Sequence, residues 1–152
     1  MFCFQCQQTA GNKCCVNTGV CGKQPETAKL QDELVYELIQ LAETAEKNGQ
    51  HTKEADRLLM DGLFTTLTNV NFDNEAIKEF TGRVQKEKEK IGKDEISVVS
   101  LWEGANDIVS LRSTLLFGLS GLNLSWNLVG SIFNAWSCLT MLIRHRLELR
   151  HR

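Results

Sequence analysis

The chain is 152 residues long, 24% charged and 7% aromatic, with a formal net charge of −2. That length suits one domain able to bury about 70% of its unfolded surface, so no metal staple is needed merely to offset small size. The charge balance gives no general pull towards nucleic acid, and no phosphate-cradling glycine motif of the Walker or dinucleotide kind occurs.

Five of the six cysteines fall in residues 1–23, and only Cys138 lies beyond them. Cys3, Cys6, Cys15 and Cys21 form a C-x2-C-x8-C-x5-C run, with Cys14 beside the third member. Four thiolates on one loop that also carries Gly11, Gly19 and Gly22 can wrap a tetrahedral metal centre, because glycine permits the tight turns that thiolate ligation demands. Disulfides would need an oxidising compartment, and the N-terminus lacks the basic and apolar regions of an export signal. A cytoplasmic protein is therefore expected. Zinc sites usually pair two short C-x2-4-C hairpins, whereas here only Cys3 and Cys6 are closely spaced. Spacing favours an iron–sulfur cluster and leaves zinc and unligated thiols open.

After Pro25 a helical period begins. Leu30, Leu34, Leu38, Leu41 and Ala45, with Val35, Ile39 and Ala42 beside them, recur at three- and four-residue steps up to a stop at Asn48-Gly49. This helix is expected to fix the cysteine loop at its N-terminal end. A second helix is predicted over about 51–69, with Thr52 as N-cap and Leu58, Leu59, Gly62, Leu63 and Leu67 inward. Gly62 there points to close helix packing rather than a break. With Asp73 as the N-cap of a third helix, Phe72 and Ile77 stand at hydrophobic-staple positions. That helix carries Ile77, Phe80, Val84 and Ile91, and its charged run 86–90 reads as a solvated face with pairs such as Glu87 and Lys90. The stretch 94–103 has no clean period. A fourth helix is predicted from about Asn106, with Ile108, Leu111, Leu115, Leu116 and Leu119 inward.

The segments MFCFQCQQTA, VCGK and ETAKLQDELVYEL, together with NDIVSLRSTLLFGLSGL further on, closely resemble the N-terminal region of the hybrid-cluster proteins, also called prismane proteins or hydroxylamine reductases. The resemblance implies that Cys3, Cys6, Cys15 and Cys21 hold a [4Fe–4S] cluster; family proteins with wider spacing can carry a [2Fe–2S] cluster instead. Cys14 has no counterpart in that pattern and reads as a small, partly buried thiol. Full-length family members carry two further domains, which supply the ligands of the hybrid cluster where hydroxylamine is reduced. Those ligands have no positions here onto which they can be mapped, so the chain alone is expected to be inactive in that reduction.

The resemblance fades near Leu122. Residues 113–143 contain no Asp, Glu, Lys or Arg and precede the basic end 144–152. Eight Leu, Ile, Val or Phe residues over 124–143 contribute roughly −2.4 to −4.8 kcal/mol towards membrane insertion, opposed by Asn127, Asn134 and several serines. A soluble helix with Trp126, Val129, Phe133 and Trp136 on one face is the favoured reading, and a membrane anchor is the other. The same apolar segment offers a surface for self-association. A tail foreign to the module, through a shifted reading frame or engineering, is a third reading.

His51, His145 and His151 are not placed to act as ligands or to activate a nucleophile, and no catalytic residue is assigned. The expected architecture is an all-α bundle: three antiparallel helices plus one or two C-terminal helices. Its divisions are a cluster loop at 1–26, a bundle at 27–122 and an apolar-then-basic tail at 123–152. The expected function is one-electron transfer with an unidentified redox protein as partner and no nucleic acid. The alternative is a non-redox helical module, stapled by zinc or a cluster, that serves interaction or membrane anchoring.

Overall fold

A computed structural model of the protein describes residues 15, 17–67, 70–92, 108, 111, 112, 114–116 and 118. These residues form an all-α bundle with no strand among them. Helix α1 is Pro25–Asn48, α2 is Lys53–Thr65 and α3 is Asn74–Ile91.

The ends of the helices follow from local chemistry. Pro25 begins α1, where its missing N–H costs nothing, and Gly49 ends it in the left-handed conformation at φ 60°. The Gly49 and Gln50 amides close that end on the carbonyls of Glu46 and Ala45. Helix α2 is capped by Thr52, whose hydroxyl accepts from the Ala55 amide at 2.9 Å. It ends at Thr65, short of the predicted Asn69, and the chain then turns on hydrogen bonds from Thr66 to Gly62 and from Leu67 to Phe64. Asp73 caps α3 by accepting from the amides of Glu75 and Ala76. Phe72 stays 41% exposed while Ile77 is fully buried, so the cap rests on the aspartate rather than on a buried staple.

The apolar stripes of the three helices meet in one core of Leu34, Leu38, Leu41, Ala45, Leu58, Leu59, Leu63, Ile77 and Val84, with Phe80 at its edge. Helix α1 packs against both of the others, most extensively against α3. Side-chain contacts give the directions. Thr27 meets Asn74 near the starts of α1 and α3, and Glu37 meets Lys88 further along both. Thr52, ahead of α2, meets Glu87 near the end of α3. Helices α1 and α3 therefore run the same way and α2 runs against them, the up-down-up course that short connections produce. A Cβ on Gly62 would sit 2.7 Å from both Leu38 methyl carbons and 3.1 Å from the Phe80 ring, so α2 approaches α1 and α3 by virtue of a missing side chain.

The charged run at the end of α3 differs from the solvated face expected of it. Lys90 does pair with Glu87 at 2.8 Å. Glu87 itself is buried, however, and accepts from the Thr52 hydroxyl at 2.8 Å. Lys88 is drawn to Glu37 at 2.7 Å and also donates to Gln40. The reason is helical spacing: residues 84, 87, 88 and 91 lie on one stripe, so the apolar face carried by Val84 and Ile91 takes the two charges between them inward.

Residues 108, 111, 112, 114–116 and 118 are helical, and Leu115 and Leu116 pack against the core. Leu111, predicted to face inward, is 60% exposed, and Arg112 is buried instead. Arg112 stands three and four residues before the two inward leucines and so shares their face. The stretch 94–103 and the tail 123–152 lie outside the described residues. Among the described residues, no helix is long and apolar enough to cross a membrane.

Candidate metal centre

The cysteine loop enters α1 through a tight double turn. The Gly22 amide donates to the Gly19 carbonyl at 2.8 Å, closing a four-residue turn with Val20 and Cys21 at its corners. The Gly19 amide in turn donates to the Lys23 carbonyl at 2.8 Å, so the two ends of the turn are tied together. Gly22 leaves the turn at φ 89°, a conformation that glycine adopts without strain.

Cys21 sits half-buried at this corner, and Cys15 is buried at 6% exposure; both are free thiols. A Cβ added to Gly19 would lie 3.2 Å from the Cys21 sulfur, 3.2 Å from the Lys23 backbone nitrogen and 3.2 Å from the Lys23 Cβ. The turn thus presents the Cys21 sulfur across bare backbone. Cysteine thiols are the donor type that iron–sulfur clusters take, and the missing Gly19 side chain leaves space beside the Cys21 sulfur. Cys3 and Cys6, the other two predicted ligands, lie outside the described residues, as do Cys14 and Cys138. Among the described residues, no three His, Cys, Asp or Glu side chains gather in a way that would hold a metal ion.

Behind the turn the chain buries a lysine. Lys23 is 1% exposed, and its ammonium donates to Gln31 Oε1 at 2.5 Å. Gln31, wholly buried on α1, uses its amide nitrogen to reach the Asn71 carbonyl at 2.8 Å. Thr27 donates to Asn74 Oδ1 at 2.7 Å alongside. The loop is therefore fastened to the bundle end where α1 and α3 both begin. Asp32, next to Gln31, has its carboxyl pushed up to about 7 by burial and by the nearby Glu33 charge, against the opposing pull of Lys23. Burial is the largest of these causes.

Lys23 and Gln31 were not expected from sequence to act together. The signal for Gln31 is its register: it falls on the stripe of Leu34, Leu38 and Leu41, where a polar residue must find buried partners. His51 is exposed, with Nε2 3.8 Å from a Glu46 carboxylate oxygen, far from the cysteine loop in sequence and at the opposite end of α1.

Comparison with known proteins matches residues 1–135 to the model of the Prismane/CO dehydrogenase family, a span that runs past Leu122. The chain is 36% identical over 150 residues to a protein named hydroxylamine reductase from Desulfovibrio desulfuricans, covering 80% of this chain and 28% of that protein. It is 49% identical over 94 residues to one of the same name from Methanocella arvoryzae, covering 60% of this chain and 17% of the relative. A third, from Syntrophobacter fumaroxidans, is 39% identical over 157 residues, covering 81% of this chain and 29% of its own length. The chain thus spans less than a third of these relatives.

Proposed function

The chain belongs to the Prismane/CO dehydrogenase family, and on that premise we propose that it is an iron–sulfur electron-transfer module holding one [4Fe–4S] cluster on Cys3, Cys6, Cys15 and Cys21. The observation that carries this reading is the Gly19–Lys23 turn, which brings the free Cys21 thiol across bare backbone near one end of the bundle. When bound, such a cluster takes up and gives back a single electron.

The chain's own residues hold and shelter that centre. Cys15 supplies a ligand from a buried position and Cys21 one from a half-buried corner. Gly19 and Gly22 allow the backbone to fold tightly behind the Cys21 sulfur. The Lys23–Gln31–Asn71 contacts fasten the ligand loop to α1 and to the entry of α3, so its position follows from helix packing. The relatives bear the name hydroxylamine reductase, and we place this module on the electron-delivery side of such a reduction, with a redox protein as partner. No residue of this chain is assigned a catalytic role, and the chain alone turns over no hydroxylamine.

The test is iron and acid-labile sulfide analysis of anaerobically purified protein, with electron paramagnetic resonance before and after dithionite. About four irons and four sulfides per chain are expected, with a reduced-state signal lost in Cys15→Ser and kept in Cys14→Ser. Colourless protein holding one zinc, or equal loss of signal in both variants, overturns the cluster or its ligand assignment.

A further inference from the structure

Gln31 is wholly buried at the end of the bundle where the ligand turn enters α1. A buried amide must satisfy both of its ends, and the two ends of this one are committed to different parts of the chain. Its oxygen accepts from the Lys23 ammonium at 2.5 Å, two residues after Cys21. Its nitrogen donates at 2.8 Å to the carbonyl of Asn71, 40 residues further along, in the connection between α2 and α3. The reverse orientation would set the amide nitrogen against the ammonium and the amide oxygen against the carbonyl. One orientation therefore serves both bonds, and turning the amide to suit one partner breaks the bond to the other.

On each side this joint meets a closed piece of backbone. The Lys23 carbonyl accepts from the Gly19 amide and the Gly22 amide donates to the Gly19 carbonyl, both at 2.8 Å, so Lys23 and Cys21 belong to one closed turn. Across the amide, the Val70 amide donates to the Leu67 carbonyl at 3.2 Å, and Asn71 Oδ1 accepts from the Asp73 amide at 2.8 Å. Asp73 in turn caps α3. Hydrogen bonds thus lead from the Cys21 turn through Lys23, Gln31 and Asn71 to the start of α3. Opening of the turn or of the connection leaves one end of a wholly buried amide without its partner, which is costly. Whatever holds one piece closed then favours closure of the other, and the effect is equal in both directions.

We propose that Gln31 couples the metal centre to the α2–α3 connection: ligation at Cys21 closes the ligand turn, holds the Gln31 amide and so closes the connection at Asn71, and a closed connection in turn helps to retain the metal. This rests on the cluster reading above. It makes Gln31 a positioning residue for the Cys21 ligand, and it gives Asn71 and Asp73 a part in metal retention although they stand outside the ligand loop.

Two measurements on the anaerobically purified full chain test it, with iron and sulfide determined on every sample. The first follows amide hydrogen exchange by mass spectrometry in the loaded and the chelator-stripped protein. Peptides covering Val70 to Asp73 are expected to exchange about tenfold more slowly in the loaded wild type, while peptides from the middle of α1 and α3 exchange equally in both states. Gln31→Glu keeps an acceptor for Lys23 but sets a carboxylate oxygen against the Asn71 carbonyl, and it is expected to erase the difference at Val70 to Asp73. The second measurement is the rate of iron transfer to a chelator. Asp73→Ala loosens the connection from outside the ligand loop and is expected to release iron about fivefold faster than wild type. Thr52→Ala removes a helix cap at the opposite end of the bundle and is expected to release it at the wild-type rate. Loss of iron through general instability would speed both variants alike. Equal exchange at Val70 to Asp73 in the two states of wild type overturns the proposal, and so do equal release rates from Asp73→Ala and Thr52→Ala, whether or not Gln31→Glu folds. A difference that persists in Gln31→Glu overturns the part given to Gln31. Wild-type protein that takes up no iron or sulfide instead removes the cluster reading itself, and this inference falls with it.

Discussion

At the scale of single residues, Asp32 makes the bundle's stability depend on pH. Its carboxyl titrates at about 7 in the folded chain, against an ordinary value of 3.8, so the folded state holds that proton more tightly than the unfolded state does. The stabilisation is complete below about pH 4 and is lost as the pH rises through 7. Asp32→Asn is expected to remove this loss. Urea midpoints at pH 5 and pH 8 are the check: the variant's advantage over wild type is expected to grow by roughly 2 kcal/mol between them, allowing for solvent screening of a half-buried group. An unchanged difference would rule Asp32 out as the source. The sequence made the four cysteines conspicuous through spacing alone, because ligand spacing is a local property. Lys23 and Gln31 stayed hidden for the opposite reason. Lys23 reads as an ordinary loop lysine until the chain folds back and brings against it Gln31, whose amide nitrogen is held by the Asn71 carbonyl.

Among the helices, Gly62 is the position on which the packing turns. Its missing side chain lets Leu38 and Phe80 come within the space that an alanine methyl would occupy. Alanine is the better helix former by about 1 kcal/mol, yet overpacking a filled core costs about 1–3 kcal/mol. Gly62→Ala is therefore expected to lower the stability by up to about 2 kcal/mol, read as a lower urea midpoint with an unchanged slope; a stabilised variant would mean that α2 has room to shift. The three helices, the Gly49 stop, the Thr52 and Asp73 caps and the reading of Gly62 were all legible, since apolar period and capping chemistry act within a few residues. What was not legible depends on tertiary placement. Helix α2 ends near Thr65 rather than Asn69, Glu87 and Lys88 turn inward, and Arg112 takes the face expected of Leu111. Lys88 finds Glu37 and Gln40 on α1, and Glu87 finds Thr52 at the start of α2, partners that periodicity alone does not name.

For the molecule as a whole, the contiguous apolar cluster among the described residues is made by α1, α2 and α3, and buried Cys15 stands outside it. Removal of the proposed metal centre is accordingly expected to leave the bundle folded. Chelation under reducing conditions should bleach the visible absorption while far-ultraviolet circular dichroism changes little and a cooperative thermal transition persists. Collapse of helicity on iron removal would show instead that the centre is needed to hold the bundle together. The all-α class was legible because one length of chain supplied three amphipathic stripes and the turns between them. The parallel course of α1 and α3 emerges only from contacts such as Thr27 with Asn74 and Glu37 with Lys88. Fastening the loop through Lys23 also bears on repair. Were the proposed cluster to lose iron by oxidation, the Cys21 arm would stay moored to an intact scaffold. Reinsertion then becomes closure of a short tether with one end already fixed, at a high effective concentration of the remaining thiols, instead of the gathering of separate ligands from an unfolded chain.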